Sequence, residues 1–116
     1  MLQFTALERA VLEELCKQAD ERGALESQLA TATVTGRKNT GDGFFTYFDV
    51  DRNCPPLTSG SIVGNVVATI VDLDGWLLIA LFQNKDGYAH MLEGTAAPDS
   101  TVNLDLSALR FTINPA

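Results

Sequence analysis

Histidine occurs once in this 116-residue chain, at His90, and cysteine twice, at Cys16 and Cys54. Zinc sites draw on several His and Cys ligands at characteristic spacings, so no metal centre of that kind is expected. Cations are also scarce: 8 Lys and Arg against 15 Asp and Glu leave a net charge of −7. They are scattered, and the one adjacent pair is Arg37-Lys38. Phosphate backbones and anionic membrane surfaces select clustered cations, so direct nucleic-acid binding and membrane binding are disfavoured. A protein partner with a basic surface is the electrostatically favoured kind. No GxGxxG or Walker pattern follows a strand, and an aromatic strand begins where a phosphate cradle after Gly36 to Gly43 would need a helix. No cofactor is expected.

Long apolar runs are missing as well. The stretch from Ile62 to Phe82 is interrupted by Asn65, Asp72 and Asp74-Gly75. A carboxylate in mid-membrane is costly, so two strands around a turn explain the stretch better than a span. Met1-Leu2-Gln3-Phe4-Thr5 has no basic region followed by an apolar run, so no secretory signal is expected. With two cysteines lacking a pairing pattern, the expectation is a cytoplasmic protein with free thiols.

What is present is a change of period. Thr5-Ala-Leu-Glu8 is a capping box, and Leu7, Val11, Leu12, Leu15 and Ala19 then fall on one helical stripe. An amphipathic helix of about four turns follows. Gly23 interrupts it, and Ala24 to Ala32 is expected to form a short second helix. From Thr33 the chain reads as strands: to about Asn39, over Phe44–Val50, over Ile62–Leu73, over Trp76–Gln83 and over Tyr88–Glu93. Asp42-Gly43, Asp74-Gly75 and Asp86-Gly87 supply turn pairs that tolerate positive φ. Asp51 to Gly60, with Pro55-Pro56, reads as a loop, as does Pro98 to Ser107, and Leu109–Ile113 alternates as a last strand. The expectation is one α+β domain: helical over 5–32, a sheet over 33–94, then a loop and last strand over 95–116. The N-terminal helix and the short second helix pack on an antiparallel meander of five or six strands.

Candidate chemistry is thin. Asp49-Val50-Asp51-Arg52-Asn53 opens like a calcium loop, but that loop needs Gly at its sixth position and Glu at its twelfth, where Cys54 and Gly60 stand. A polar strand end running into a turn is the better reading. Cys54 and His90 could pair as nucleophile and base, yet no third group can be named to orient them.

Strands Ile62–Leu73 and Trp76–Gln83 are apolar on both faces. One face can pack on a helix; the other needs a second cover, which leaves self-association open. Phe45 and Tyr47 share a strand face with Asp49 and are the aromatic anchors expected for protein contact, with Asp49, Asp51, Asp74 and Asp86 as steering carboxylates. The reading that follows is a non-catalytic protein-binding domain, for example an inhibitor that occludes a basic site. Its alternatives are a small-molecule binder or enzyme with His90, Tyr88 or Cys54 at a pocket mouth, and a structural homo-oligomer.

Arg37 followed by Thr40-Gly41-Asp42-Gly43-Phe44-Phe45-Thr46-Tyr47-Phe48, then Asp86-Gly87-Tyr88 and Leu92-Glu93-Gly94, resembles a pattern of small bacterial α+β proteins with no assigned activity. The resemblance covers roughly half the chain, and the tail after Gly94 departs from it. It implies a bacterial cytosolic α+β domain and no particular chemistry.

Overall fold

The computed structural model describes residues 3–58, 62–71, 75–98, 100–102, 104–105 and 108–114. Helices α1 (Ala6–Gln18) and α2 (Arg22–Ala30) precede strands β1 (Thr33–Asn39), β2 (Gly43–Asp49), β3 (Ile62–Ile70), β4 (Gly75–Gln83), β5 (Ala89–Pro98) and β6 (Phe111–Asn114). All six strands join one antiparallel sheet in the order β1-β2-β5-β4-β3-β6, giving an α+β fold.

The start of α1 follows from its capping box. The Glu8 amide donates to Thr5 Oγ1 at 3.1 Å, and the Thr5 amide donates to Glu8 Oε1 at 2.7 Å. Two amide donors that an uncapped helix would leave without protein partners are thereby satisfied. Leu7, Val11, Leu12 and Leu15 are buried along the predicted stripe. Thr5→Ala is expected to cost about 1 kcal/mol, measured by denaturant melts. A variant that melts like the parent would mean that the cap contributes nothing.

The break between the helices lies at Ala19 to Glu21 rather than at Gly23, which sits in the first turn of α2. Nothing lies within 4 Å of where a Gly23 Cβ would be, so no close approach requires glycine there. Gln28 of α2 is fully buried and holds two loops in place. Its Nε2 donates to the carbonyls of Pro55 (2.8 Å) and Gly87 (3.0 Å), and its Oε1 accepts from the Ala89 amide (2.9 Å). These bonds satisfy a side chain that would be costly to bury unpaired.

Strand alternation sorts the sheet into two faces. Inward rows run across the strands by register: Thr46–Leu92–Leu81–Gly64, then Phe44–Gly94–Ile79–Val66, then Ala96–Leu77–Ala68–Ile113. Leu7, Val11, Leu15 and Leu25 from the helices complete the same core. At Gly64 an added Cβ would come within 3.0 Å of Leu15 Cδ2, which is how closely α1 lies on β3.

The sheet differs from the sequence expectation in two details. β3 does not neighbour β2; β5 lies between β2 and β4. β5 also runs on to Pro98, whereas the sheet was expected to end at residue 94. Gly94, Ala96 and Ala97 carry weak strand propensity, but each has a register partner on β4. Pairing and packing override propensity there. No helix among the described residues is long and apolar enough to cross a membrane.

Candidate functional site

The outward rows are the mirror of the buried ones. Tyr47, Met91 and Phe82 lie side by side across β2, β5 and β4. The next row is Lys38–Phe45–Glu93–Ala80–Asn65, and beyond it come Thr95–Leu78–Val67 and Ala97–Trp76. Both helices spend their apolar stripes on the other face, so neither helix covers this one. Tyr47, Trp76 and Leu78 are 39%, 43% and 36% exposed, while Phe45, Val67, Phe82 and Met91 are half-buried. Phe45 and Tyr47 stack along β2 with ring centroids 6.0 Å apart. The result is a continuous band of aromatic, thioether and aliphatic groups crossed by one polar row.

Phe45 and Tyr47 therefore point out of the core together with exposed Asp49, as a shared strand face requires. Met91, Phe82, Leu78, Val67 and Trp76 join them, none of which sequence reasoning had singled out. The alternation of β4 was legible, but not which of its two apolar faces the helices would take.

The steering carboxylates are divided. Asp49, Asp51 and Asp86 gather at one end of the sheet. The loop carrying Asp51 is pinned to the β4–β5 turn carrying Asp86: the Leu57 amide donates to the Gly87 carbonyl at 2.7 Å. The Tyr88 hydroxyl lies 2.8 Å and 3.0 Å from the carbonyls of Arg52 and Cys54. Arg52 and Lys85 are in the same two loops, and the Arg52 guanidinium sits 4.7 Å from the centroid of the Tyr88 ring. The acidic end is thus a mixed-charge rim. Asp74 lies outside the described residues, as does Asp72.

Asp51 Oδ1 accepts from the Asn53 amide at 2.9 Å, and the Asp51 carbonyl accepts from the Cys54 amide at 3.1 Å. That is a side-chain-stabilised turn, the plainer of the two readings of this stretch. Among the described residues no three His, Cys, Asp or Glu side chains come together as a metal-binding group. The Cys54 thiol lies 3.5 Å from the Ser27 carbonyl, and no hydrogen bond joins it to His90 among the described residues. Tyr88 is engaged by its two carbonyl partners.

Glu8 does more than cap its helix. It is 3% exposed, and its carboxylate accepts from Arg37 twice, at 2.7 Å and 3.0 Å, and from the Thr46 hydroxyl. Burial by itself pushes the Glu8 carboxyl up. The bonds from Arg37, Thr46 and the Thr5 amide, with the Arg37 charge, outweigh it and hold the pKa below the usual carboxylate value. The Arg37 pKa is raised in turn, chiefly by its bonds to Glu8. With its oxygens occupied by Arg37, Thr46 and Thr5, this carboxylate ties α1 to β1 and β2. A cleft of about 260 Å³ opens beside it.

The outer face carries the charges Lys38, Asp49 and Glu93 among rings and aliphatic groups. No protein-family model, curated protein or solved structure matches the chain, so its outer face is read from its own chemistry.

Proposed function

We propose that this chain is a non-catalytic protein-binding domain that docks through the outer face of its sheet. The partner presents an apolar patch for the Tyr47–Met91–Phe82 and Leu78–Val67–Trp76 rows, edged by basic groups. One observation carries the reading. A sheet whose inner face packs under the helices exposes Tyr47, Trp76 and Leu78 on the other, apolar rows on either side of a polar one, and soluble monomers seldom leave large apolar surface unused. The net charge of −7 favours a basic partner and speeds encounter with one. Arg52 and Lys85 dilute that field at the Asp49–Asp86 end, so aromatic and aliphatic anchors supply most of the affinity. An inhibitor that occludes a basic site is the form of action this surface suits.

Self-association is the second reading. Charges on the face are few, so two copies would meet there with little local repulsion despite the overall charge.

A photo-crosslinking side chain at Tyr47 is expected to capture a basic protein in cells, whereas the same group at Glu14, on the helix packed against the other face of the sheet, captures none. Tyr47→Ala should weaken the captured complex by about 2 kcal/mol, roughly thirtyfold in Kd, with an unchanged melting point. Equal crosslinking from both positions would sink the reading. A crosslinked product containing this chain alone would replace it with the homo-oligomer.

A further inference from the structure

One row interrupts the apolar character of the outer face. Lys38, Phe45, Glu93, Ala80 and Asn65 lie side by side across β1, β2, β5, β4 and β3. Glu93 is half-buried in the middle of the sheet, between the Tyr47–Met91–Phe82 row and the Thr95–Leu78–Val67 row. Neither its carboxylate nor the side-chain amide of Asn65 takes part in a hydrogen bond or ion pair among the described residues.

Lys38 does not supply the missing cation. It lies on the edge strand with Phe45 between it and Glu93, and no ion pair joins the two. Two strand spacings separate them, roughly 10 Å.

Ala80 stands between Glu93 and Asn65, one strand spacing from each. On the outer side of β4 it is the one small side chain among Trp76, Leu78 and Phe82. A recess therefore lies over Ala80, with a carboxylate on one side, an amide on the other, and Phe82 and Leu78 at its two ends. A carboxylate in this setting loses hydration when a partner covers the face, a cost that is offset only if the partner brings a cation to it.

We infer that this recess receives one arginine side chain of the docked partner. The inference rests on the outer face being the docking surface. The guanidinium lies over Ala80, donates to Glu93 on one side and to the Asn65 amide oxygen on the other, and packs its stem and flat face against Phe82 and Leu78. A planar fork with donors on opposite edges spans two acceptors, whereas an ammonium is a compact point charge. Glu93 thereby fixes where the partner's basic group stands and sets the register of docking.

Acetyl-leucyl-arginyl-leucinamide and its citrulline and lysine counterparts, titrated into isotope-labelled protein and followed by amide NMR shifts, test the assignment. The arginine peptide is expected to saturate one site, with the largest shifts at Asn65, Ala80, Met91 and Glu93. It should bind about fivefold more tightly than the neutral citrulline peptide, the scale of one partly exposed charge pair. Glu93→Gln, an isosteric change, should erase that preference and keep the melting point, while Glu13→Gln on the exposed side of α1 should leave it intact. Lys38→Gln should not weaken the arginine peptide. Citrulline or lysine binding as tightly as arginine would overturn the inference. So would a preference that survives Glu93→Gln, shifts centred on the Asp49–Asp86 end, or the absence of saturation. Those results strike the arginine slot alone, because capture from Tyr47 does not depend on what Glu93 pairs with; a lack of capture from Tyr47 strikes the docking face itself.

Discussion

Gly43→Ala is expected to be severely destabilising. A Cβ at this position would lie 1.8 Å from the Gly94 carbonyl oxygen, 2.7 Å from its carbon and 3.0 Å from Thr95 Cα. All three are backbone atoms of β5, so no side-chain rotation relieves the clash. Gly43 also sits at φ +152, a region side chains rarely adopt. Relief would mean parting β2 from β5 where their register begins, Gly43 opposite Thr95. Overpacking against backbone and the φ penalty together cost about 4 kcal/mol or more, much of the stability a domain of this size possesses. Gly36→Ala is the control: nothing lies within 4 Å of its added Cβ, and the change is expected to stay within about 0.5 kcal/mol. Circular dichroism and denaturant melts of the two variants decide the matter. If Gly43→Ala melts like the parent, the β2–β5 register described above is wrong.

Removing Glu8 is expected to be the next most damaging change. Glu8→Ala takes away a cap, the bidentate partner of Arg37 and the acceptor of the Thr46 hydroxyl in one step. Breaking a buried pair from one side costs about 3–5 kcal/mol, and the low end applies because the Arg37 side chain keeps 29% of its exposure and can be rehydrated. Thr5→Ala, which removes the cap alone, should cost much less, so the two variants separate capping from the tertiary ion pair.

The same carboxylate predicts an acid dependence. The folded pKa of Glu8 lies below the usual glutamate value, so the folded state favours the ionised form. Its stabilisation is fully present above the unfolded-state pKa and is lost as pH falls through the folded one. Glu8→Gln cannot ionise and should lose less stability on acidification. The gap between parent and Glu8→Gln in urea melts is expected to narrow from pH 7 to pH 3. A gap that stays constant would show that the Glu8 charge contributes nothing.

Several features were readable from short stretches of sequence because their causes are local. The Thr5–Glu8 capping box and the Leu7–Val11–Leu15 stripe specify α1 through contacts within a few residues of one another. The Asp-Gly pairs mark turns for the same reason, and Gly43, Gly75 and Gly87 all adopt positive φ. The parity of β2 already placed Phe45, Tyr47 and Asp49 together on one side. What these signals carry is local period and turn chemistry, properties of neighbours along the chain.

The remaining features depended on segments far apart. That Glu8 binds Arg37, 29 positions away, cannot be read from the capping box, which accounts for Glu8 by itself. Gly94 carries little strand signal, yet β5 passes through it because it pairs with Phe44 and Ile79, and the Phe44 ring lies where a Cβ would stand, 2.3 Å away. The recess over Ala80 exists only once β5, β4 and β3 lie side by side, which brings Glu93 and Asn65 to its two sides. The choice of face was the largest such decision. β4 is apolar on both sides, and either could have met the helices on pattern alone. Packing settled it: Leu77, Ile79 and Leu81 went under α1 and α2, and Trp76, Leu78 and Phe82 remained outside. Side-chain period is set by the backbone of a single strand, but the side of a sheet that is covered is set by where other elements dock, and no local stretch of sequence contains that information.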